Sequence, residues 1–171
     1  MAKMQRISPC LWFDSQAEEA AKFYTTVFKN SRIGKISHYG KEGFDQHHKP
    51  AGSVLTVQFF LEDQEFLALN GGPNFKFSEA VSFTVNCDTQ DEIDFYWEKL
   101  SEGGDKNAQQ CGWLKDKFGL SWQVTPTFMT EALSGGPNSK TESVMKVMMQ
   151  MKKLDLAKLK EAYNKPEMSM A

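Results

Sequence analysis

The sequence predicts an α+β fold of two similar halves followed by a helical extension. Segments with strand-like and helix-like spacing alternate along the chain, and the order seen in the first part recurs later. At 171 residues and 40% hydrophobic content, the chain is long enough to bury a sizeable core. We therefore expect a single domain, with module one at residues 5–73, module two at 80–126 and the extension at 127–171.

The first half is predicted to run strand, helix and three strands. The helix carries apolar residues at helical spacing on one face and Glu18 and Glu19 on the other. Asp14 or Ser15 is expected to cap it with a side-chain oxygen, and residues 40–52 form a polar loop. The predicted elements are a strand at 7–13, a helix at 16–28, and strands at 32–39, 53–61 and 65–70, the last two joined by a turn at 62–64.

The second half begins the same order again, with strands at 81–87, 110–116 and 120–125 and a helix at 90–100. Sliding it over the first half by 72 positions places Phe95-Tyr96 on Phe23-Tyr24. The closing strands align with a different offset, which places residues 120–123 on 67–70. This self-similarity indicates a duplicated half-domain. Two α/β units that share only a pattern are the alternative.

The extension after Pro126 is predicted to be helical, with helices at 128–133, 142–152 and 156–163, the last capped by Asp155. Its apolar stripe is Val144, Met145, Met148, Met151 and Leu154. Because such a stripe needs a surface to cover, we expect a symmetric homodimer. In the alternative, the helices fold back on their own sheet and the protein is a monomer.

Composition and charge exclude several partners and compartments. The formal charge is −2, with lysine and arginine scattered among acidic residues, so we expect no nucleic-acid partner and no anionic membrane surface. No apolar run of about 18 residues exists, and Pro9 comes too early for a signal peptide, so a cytoplasmic location is expected. The three widely spaced cysteines indicate reduced thiols rather than a disulfide framework or a CxxC metal site.

Four segments resemble one known family, the PhnB-like branch of the vicinal oxygen chelate superfamily, which includes glyoxalase I, extradiol dioxygenases and bleomycin-resistance proteins. The segments that carry the resemblance are Leu11-Trp12-Phe13-Asp14, Ala68-Leu69-Asn70-Gly71-Gly72-Pro73, Phe83-Thr84-Val85-Asn86-Cys87 and Cys111-Gly112-Trp113-Leu114-Lys115-Asp116-Lys117-Phe118-Gly119. The resemblance implies two βαβββ modules whose sheets curl into an open barrel around a cavity, usually in a homodimer.

Families of this branch often carry the label demethylubiquinone methyltransferase, but the residues argue against that reaction. A methyltransferase that uses S-adenosylmethionine normally needs a glycine-rich turn between a strand and a helix. The chain has no GxGxG-like run, and the sequence predicts no helix directly after Gly71-Gly72-Pro73. We therefore expect no bound cofactor.

The resemblance also implies a divalent metal held by His, Gln or Glu on the first and last strands of each module. The repeat places those positions near Cys10 or Trp12, Ser82 or Thr84, Asn70 and Gln123. None is His, Asp or Glu, and neutral amides with a thiol or hydroxyl are weak ligands. We therefore predict no metal site. A histidine of the loop, His47 or His48, could still enter a partner's pocket in a dimer.

Strand alternation indicates which side chains line the expected cavity. Asn70 is placed on one face with Ala68, and Gln123 on the matching face with Ser121, so that the two amides meet across the cavity. Cys111, Trp113 and Lys115 form another set on one face, while Lys115-Asp116-Lys117 is interpreted as a turn with exposed charges. The predicted ligand-binding residues are Trp12, Asn70, Thr84, Cys111, Trp113, Ser121 and Gln123. Alternatively, Asn70 only begins a turn and Trp113 is ordinary core.

Three functions are compatible with these residues. The first is a small-molecule-binding protein without a metal site, which holds an apolar or aromatic ligand between Trp and Phe walls. The second is a metal-dependent lyase or dioxygenase in which His38, His47 or His48 converges with Glu42 or Glu65. In the third, the Met-rich helix binds another protein. The sequence identifies neither the ligand nor any reaction.

Overall fold

The computed structural model describes residues 5–134 and 136–165. The chain divides into two compact units between Phe77 and Ser78, here named unit 1 and unit 2. Two stretches that the sequence analysis used lie outside the described residues. They are residues 1–4, which belong to the signal-peptide argument, and residues 166–171, the predicted end of the extension. Within the described residues, no helix is both long and apolar enough to cross a membrane.

Unit 1 has the predicted βαβββ order, with one added turn of helix in the loop. Its elements are β1 (Cys10–Phe13), α1 (Ala17–Val27), β2 (Arg32–His38), α2 (Phe44–His47), β3 (Val54–Leu61) and β4 (Gln64–Asn70). The sheet order is β1-β4-β3-β2, with β1 parallel to β4 and the other pairs antiparallel. Glu62 and Asp63 join β3 to β4 with φ angles of 47° and 63°, which suits the twist of a two-residue hairpin.

Helix α1 packs on one face of this sheet through small and aromatic side chains. Five of its residues are buried, namely Ala17, Ala20, Ala21, Tyr24 and Val27. The Tyr24 ring lies 6.1 Å from the Phe59 ring of β3 in a stacked arrangement. This face of the sheet is therefore the core of unit 1.

The cap of α1 differs from the sequence prediction. Neither Asp14 nor Ser15 caps the helix; Gln16 holds the cap position and its side chain accepts no hydrogen bond there. Instead, the Asn70 Oδ1 atom accepts a hydrogen bond of 2.8 Å from the backbone N–H of Ala17. An oxygen from the end of β4 thus satisfies a free donor of the first helical turn.

Unit 2 repeats the plan of unit 1 with one strand fewer. Its elements are β5 (Ser82–Cys87), α3 (Gln90–Ser101), a 3-10 helix (Lys106–Ala108), β6 (Trp113–Lys115) and β7 (Ser121–Pro126). The sheet order is β5-β7-β6, with β5 parallel to β7 and β6 antiparallel to it. The connection 102–112 is less than half as long as the corresponding 28–53 of unit 1, which leaves no room for a fourth strand. The mixed α+β class with two open sheets and C-terminal helices is confirmed.

The extension forms three helices, α4 (Phe128–Ala132), α5 (Ser139–Met148) and α6 (Leu156–Asn164). Helix α5 begins earlier than predicted because Asn138 and Thr141 form a capping box, while Asp155 caps α6 as expected. The helices share a small core of Met129, Val144, Leu154 and Leu159. Two members of the predicted stripe are therefore buried within the chain.

Hydrogen bonds join the extension to the segment before β6. The N–H groups of Cys111 and Gly112 donate to the carbonyls of Met151 and Lys152, each at 2.8 Å. The side chain of Gln90 accepts from the N–H of Leu156 at 2.8 Å and donates to the Leu154 carbonyl at 3.2 Å. The extension is thus a bonded part of unit 2.

Candidate functional site

Each sheet has one face against a helix and one face away from it, which we call the distal face. In unit 2, a set of buried residues on the three strands packs against α3 and alternates with residues that are half-buried or exposed, apart from Ser121, which is buried on the opposite face. The buried set is Val85, Cys87, Leu114, Trp122, Val124 and Pro126. The remaining side chains of the strands therefore form the distal face.

The distal face of unit 2 brings four predicted site residues together. Gln123 of β7 lies between Thr84 of β5 and Trp113 of β6 in the strand register. Ser121, two residues earlier on β7, shares their face. The predicted alternation of this strand is thus correct. Contact of these residues with a ligand stays a prediction.

Two polar side chains on β7 have different environments. The Gln123 Nε2 donates to the Ser82 Oγ at 2.9 Å, which fixes the amide along the face. Ser121 is 1% exposed, and its Oγ is the one buried side-chain N or O atom of the described residues without a hydrogen-bond partner. A buried hydroxyl without a partner costs free energy, so the position is one that another oxygen or nitrogen would stabilise.

Lys115 of β6 lies beside Ser121 in the register and forms an ion pair with Glu79, three residues before β5. The hydrogen bond from Lys115 lowers the pKa of the Glu79 carboxyl. The Lys115 side chain is 23% exposed and that of Glu79 is 63% exposed. The prediction that Lys115 is an exposed turn charge is therefore wrong, because it lies on the strand and across the distal face.

The prediction that Asp116 is an exposed turn charge is also wrong, because its side chain is buried. Its Oδ1 accepts from the N–H groups of Phe118 and Leu120 at 2.9 and 3.0 Å, and its Oδ2 accepts from the Trp122 indole at 2.8 Å. One carboxylate therefore holds the β6–β7 turn and orients a core tryptophan. The spacing of Asp116 before Gly119 is typical of such a turn and could have indicated this role.

Cys111 does not share a face with Trp113, contrary to the prediction. Cys111 and Gly112 have φ angles of 51° and 84°, so the alternation expected for a strand is broken before β6 begins. A side chain at Gly112 would also come within 2.9 Å of the Val124 carbonyl. The Cys111 thiol instead accepts a hydrogen bond from the Gln110 amide at 3.5 Å.

Trp12 lies on the distal face of unit 1, opposite Leu69 in the strand register. Its indole donates to the Gly72 carbonyl at 2.8 Å, and its ring meets the edge of Phe75 at 4.9 Å. Any side chain at Gly71 would overlap the ring, so the glycine permits this close approach. The tryptophan is thus held in one orientation.

Asn70 lies on the face that packs against α1, so the predicted face is wrong. Besides accepting from Ala17, its amide donates to the Val54 carbonyl at 3.0 Å, and the residue is 6% exposed. The register pairs Leu11 with Ala68 in unit 1 and Phe83 with Trp122 in unit 2. The sequence alignment of the closing strands was therefore one residue out of phase, and one residue reverses the face.

The register corrects the positions at which the sequence resemblance implied a metal. On the distal faces they are Cys10, Trp12, Leu67 and Leu69 in unit 1 and Ser82, Thr84, Ser121 and Gln123 in unit 2. None carries an imidazole or a carboxylate, and two are leucines. Neither unit's set fits a divalent ion, whose charge needs anionic or imidazole donors.

The histidines provide no substitute among the described residues. The His47 Nδ1 accepts from the Lys49 N–H at 2.9 Å, and its Nε2 lies 3.1 Å from the Glu42 carbonyl. Within the described residues, no three His, Cys, Asp or Glu side chains are grouped as metal ligands would be. His38, His47 or His48 therefore does not converge with Glu42 or Glu65 into such a group.

The three cysteines form no disulfide, and Cys87 is poorly suited to nucleophilic chemistry. Burial, with added repulsion from Glu92 and Asp88, raises the pKa of the Cys87 thiol to about 12. Since the thiolate is the nucleophile, this side chain is inert near neutral pH.

Comparison with known proteins places this fold. The family model described as 3-demethylubiquinone-9 3-methyltransferase matches residues 5–125. The putative 3-demethylubiquinone-9 3-methyltransferase, PhnB protein, of Bacillus cereus is 36% identical, with 72% of this chain and 100% of that chain covered and a TM-score of 0.62. No protein in the search of curated proteins matches.

Two more distant solved structures share the fold. Protein PA1353 of Pseudomonas aeruginosa is 19% identical with a TM-score of 0.54, covering 72% of this chain and 98% of that one. The fosfomycin resistance protein FosX of Mesorhizobium loti is 16% identical with a TM-score of 0.50, covering 78% and 98%. The matched family model and the Bacillus cereus relative show that the chain belongs to the PhnB-like 3-demethylubiquinone-9 3-methyltransferase family.

Proposed function

We propose that the protein binds an apolar or aromatic small molecule without a metal ion. The observation that carries the proposal is the distal face of unit 2. Trp113 offers an aromatic surface there, while Gln123 and Thr84 beside it offer neutral donors and acceptors. A mainly apolar site with a few placed polar groups is the usual composition of a small-molecule pocket.

The residues at the superfamily's metal positions support the metal-free part of this proposal. In unit 1, the distal face is apolar at the positions that metal ligands would occupy, which are Cys10, Trp12, Leu67 and Leu69. A cation there would lose hydration without gaining charged donors. The test is metal analysis by inductively coupled plasma mass spectrometry on protein purified without chelator, and we expect no metal at a near-stoichiometric level. Near-stoichiometric Zn, Fe, Ni or Mn would overturn the metal-free part of the proposal.

The methyltransferase name of the family receives no support from the glycine-rich turn. Gly71 and Gly72 follow β4, and no helix begins before β5. Gly71 is needed because the Trp12 ring lies against it. Calorimetric titration with S-adenosylmethionine is expected to show no binding, and saturable binding at micromolar concentration would reinstate that function.

N-phenyl-1-naphthylamine tests the proposal directly, because this neutral aromatic probe becomes fluorescent when it leaves water. We expect saturable binding that Trp113→Ala weakens about tenfold, the loss of roughly one aromatic contact. Trp97→Ala is the matched control, since Trp97 is also half-buried but lies on α3. Absence of binding, or equal losses in both variants, would contradict the proposed site.

The homodimer and the cytoplasmic location remain proposals. Val144 and Leu154 are buried within unit 2, so these members of the stripe no longer need a partner. Met145 and Met149 are 36% and 62% exposed and remain as apolar surface that a second copy could cover.

A further inference from the structure

We propose that Lys115 and Ser121 form an anion subsite on the distal face of unit 2, and that Glu79 competes for the lysine in the ligand-free protein. The subsite would accept a carboxylate, sulfonate or phosphoryl group attached to the aromatic body that Trp113 contacts. This inference rests on the proposed function, because it names the class of ligand that the same face binds.

Ser121 provides the first part of the argument. Its Oγ is buried without a partner, while the neighbouring Gln123 and Ser82 side chains bond to each other. A serine hydroxyl can donate to an anionic oxygen, and hydrogen bonds to charged groups are stronger than neutral ones. An anion placed over β7 would therefore satisfy the orphaned group.

The ion pair provides the second part. Strand β7 lies between β5 and β6, and Ser121 is paired with Ser82 on one side and Lys115 on the other. Lys115 reaches Glu79, which lies just before β5, so the ion pair joins the two sides of β7. Because Lys115 pairs with Ser121 in the register, the lysine and the orphaned hydroxyl lie on the same face and at the same end of the sheet.

Glu79 is suited to be displaced by a ligand. Its side chain is 63% exposed, so water screens its attraction to Lys115 and can solvate the carboxylate when it leaves. The exchange replaces one anion by another on a half-buried ammonium, so no charge is left unpaired. The Glu79 carboxylate thus takes the place of the ligand's anionic group at Lys115 and leaves Ser121 unsatisfied.

The aromatic part of the ligand has a defined place. Trp113 and Lys115 lie two residues apart on β6 with their side chains on the same face, so they are about 7 Å apart along the strand. That spacing suits an anionic group carried on one or two aromatic rings. Gln123 lies beside Trp113, where it can bond to a polar ring substituent.

A matched pair of probes separates this subsite from the aromatic site. 8-Anilino-1-naphthalenesulfonate has the same ring system as N-phenyl-1-naphthylamine but adds a sulfonate. Both are titrated by fluorescence at constant ionic strength against the full chain and against Lys115→Met, Ser121→Ala and Glu79→Gln. Lys117→Met is the control, because it removes a lysine of the neighbouring turn. Inorganic phosphate serves as a competitor for the sulfonate probe.

We expect the substitutions to change the affinity for the sulfonate probe but not the affinity for the neutral probe. Lys115→Met weakens its binding about tenfold and Ser121→Ala about fivefold, while Glu79→Gln strengthens it about threefold by removing the competitor. The neutral probe binds all variants within about twofold, and phosphate displaces the sulfonate. Ser121→Ala has an unchanged or higher urea midpoint, because it removes an unpaired buried hydroxyl.

Three outcomes decide against the subsite. If the neutral probe binds and the sulfonate probe binds no more tightly than the neutral one, the anion subsite is wrong and the proposed function stands. The same conclusion follows if Glu79→Gln weakens the sulfonate, since Glu79 would then be part of the site rather than its competitor. If neither probe binds, the proposed function and the subsite both fail.

Discussion

Replacing Asp116 tests whether one buried carboxylate holds the hairpin of unit 2. Asp116→Asn keeps the shape but directs an amide N–H₂ at either the Trp122 indole or the turn N–H groups, so at least one hydrogen bond to a charged acceptor is lost. Such a bond contributes about 2 kcal/mol to the free energy of unfolding. Asp116→Ala removes all of them and leaves buried donors unpaired, for an expected loss of about 4 kcal/mol.

The assay is urea unfolding of the full chain followed by circular dichroism, with Trp122→Phe as the second arm of a double-mutant cycle. Trp122→Phe removes the indole donor, so Asp116→Asn should cost about 1.5 kcal/mol less in that background. Asp91→Asn, at an exposed position on α3, is the control and should change the free energy of unfolding by less than about 0.5 kcal/mol. An equal cost of Asp116→Asn with and without the indole would refute the reasoning.

Three further predictions concern other parts of the chain. Asn70→Ala should lower the free energy of unfolding by about 2 kcal/mol, because it removes the acceptor of the first N–H of α1. Asn86→Ala, at an exposed position, is the control and should change it little; equal urea midpoints for the two variants would contradict the cap. Iodoacetamide at pH 8 should alkylate buried Cys87 at least about tenfold more slowly than exposed Cys10, because burial raises the pKa of both thiols but that of Cys87 further, to about 12; comparable rates by mass spectrometry would contradict this. Sedimentation equilibrium at micromolar concentration should show a dimer, and a single species near 19.4 kDa would show the dimer proposal to be wrong.

The element order could be predicted because hydrophobic period and turn residues act locally. Helix α1, strand β3 and the Asp155 cap lie where the sequence places them, give or take a residue or two. The shortened β6 could not be predicted, because backbone conformation at Cys111 and Gly112 depends on hydrogen bonds to Met151 and Lys152 far along the chain.

The face of a side chain was predicted correctly where strand alternation alone decides it, as for Ser121 and Gln123. Asn70 failed for a different reason. Its role depends on a partner 53 residues earlier in the chain, and its face depends on the register with β1, which periodicity does not reveal. The Glu79–Lys115 ion pair was missed because it joins a loop to a strand 36 positions away.

The corrected register changes the chemistry that the duplication implies. At equivalent places on the distal faces, Cys10, Trp12, Leu67 and Leu69 of unit 1 correspond to Ser82, Thr84, Ser121 and Gln123 of unit 2. One module is thus apolar where the other is polar, although their backbones follow the same plan. On the polar face of unit 2, Trp113 adds an aromatic surface beside Gln123, and Lys115 lies beside Ser121. That face by itself suits a molecule with an aromatic part and a polar or anionic part, which is the class of ligand that the sulfonate and its neutral counterpart distinguish.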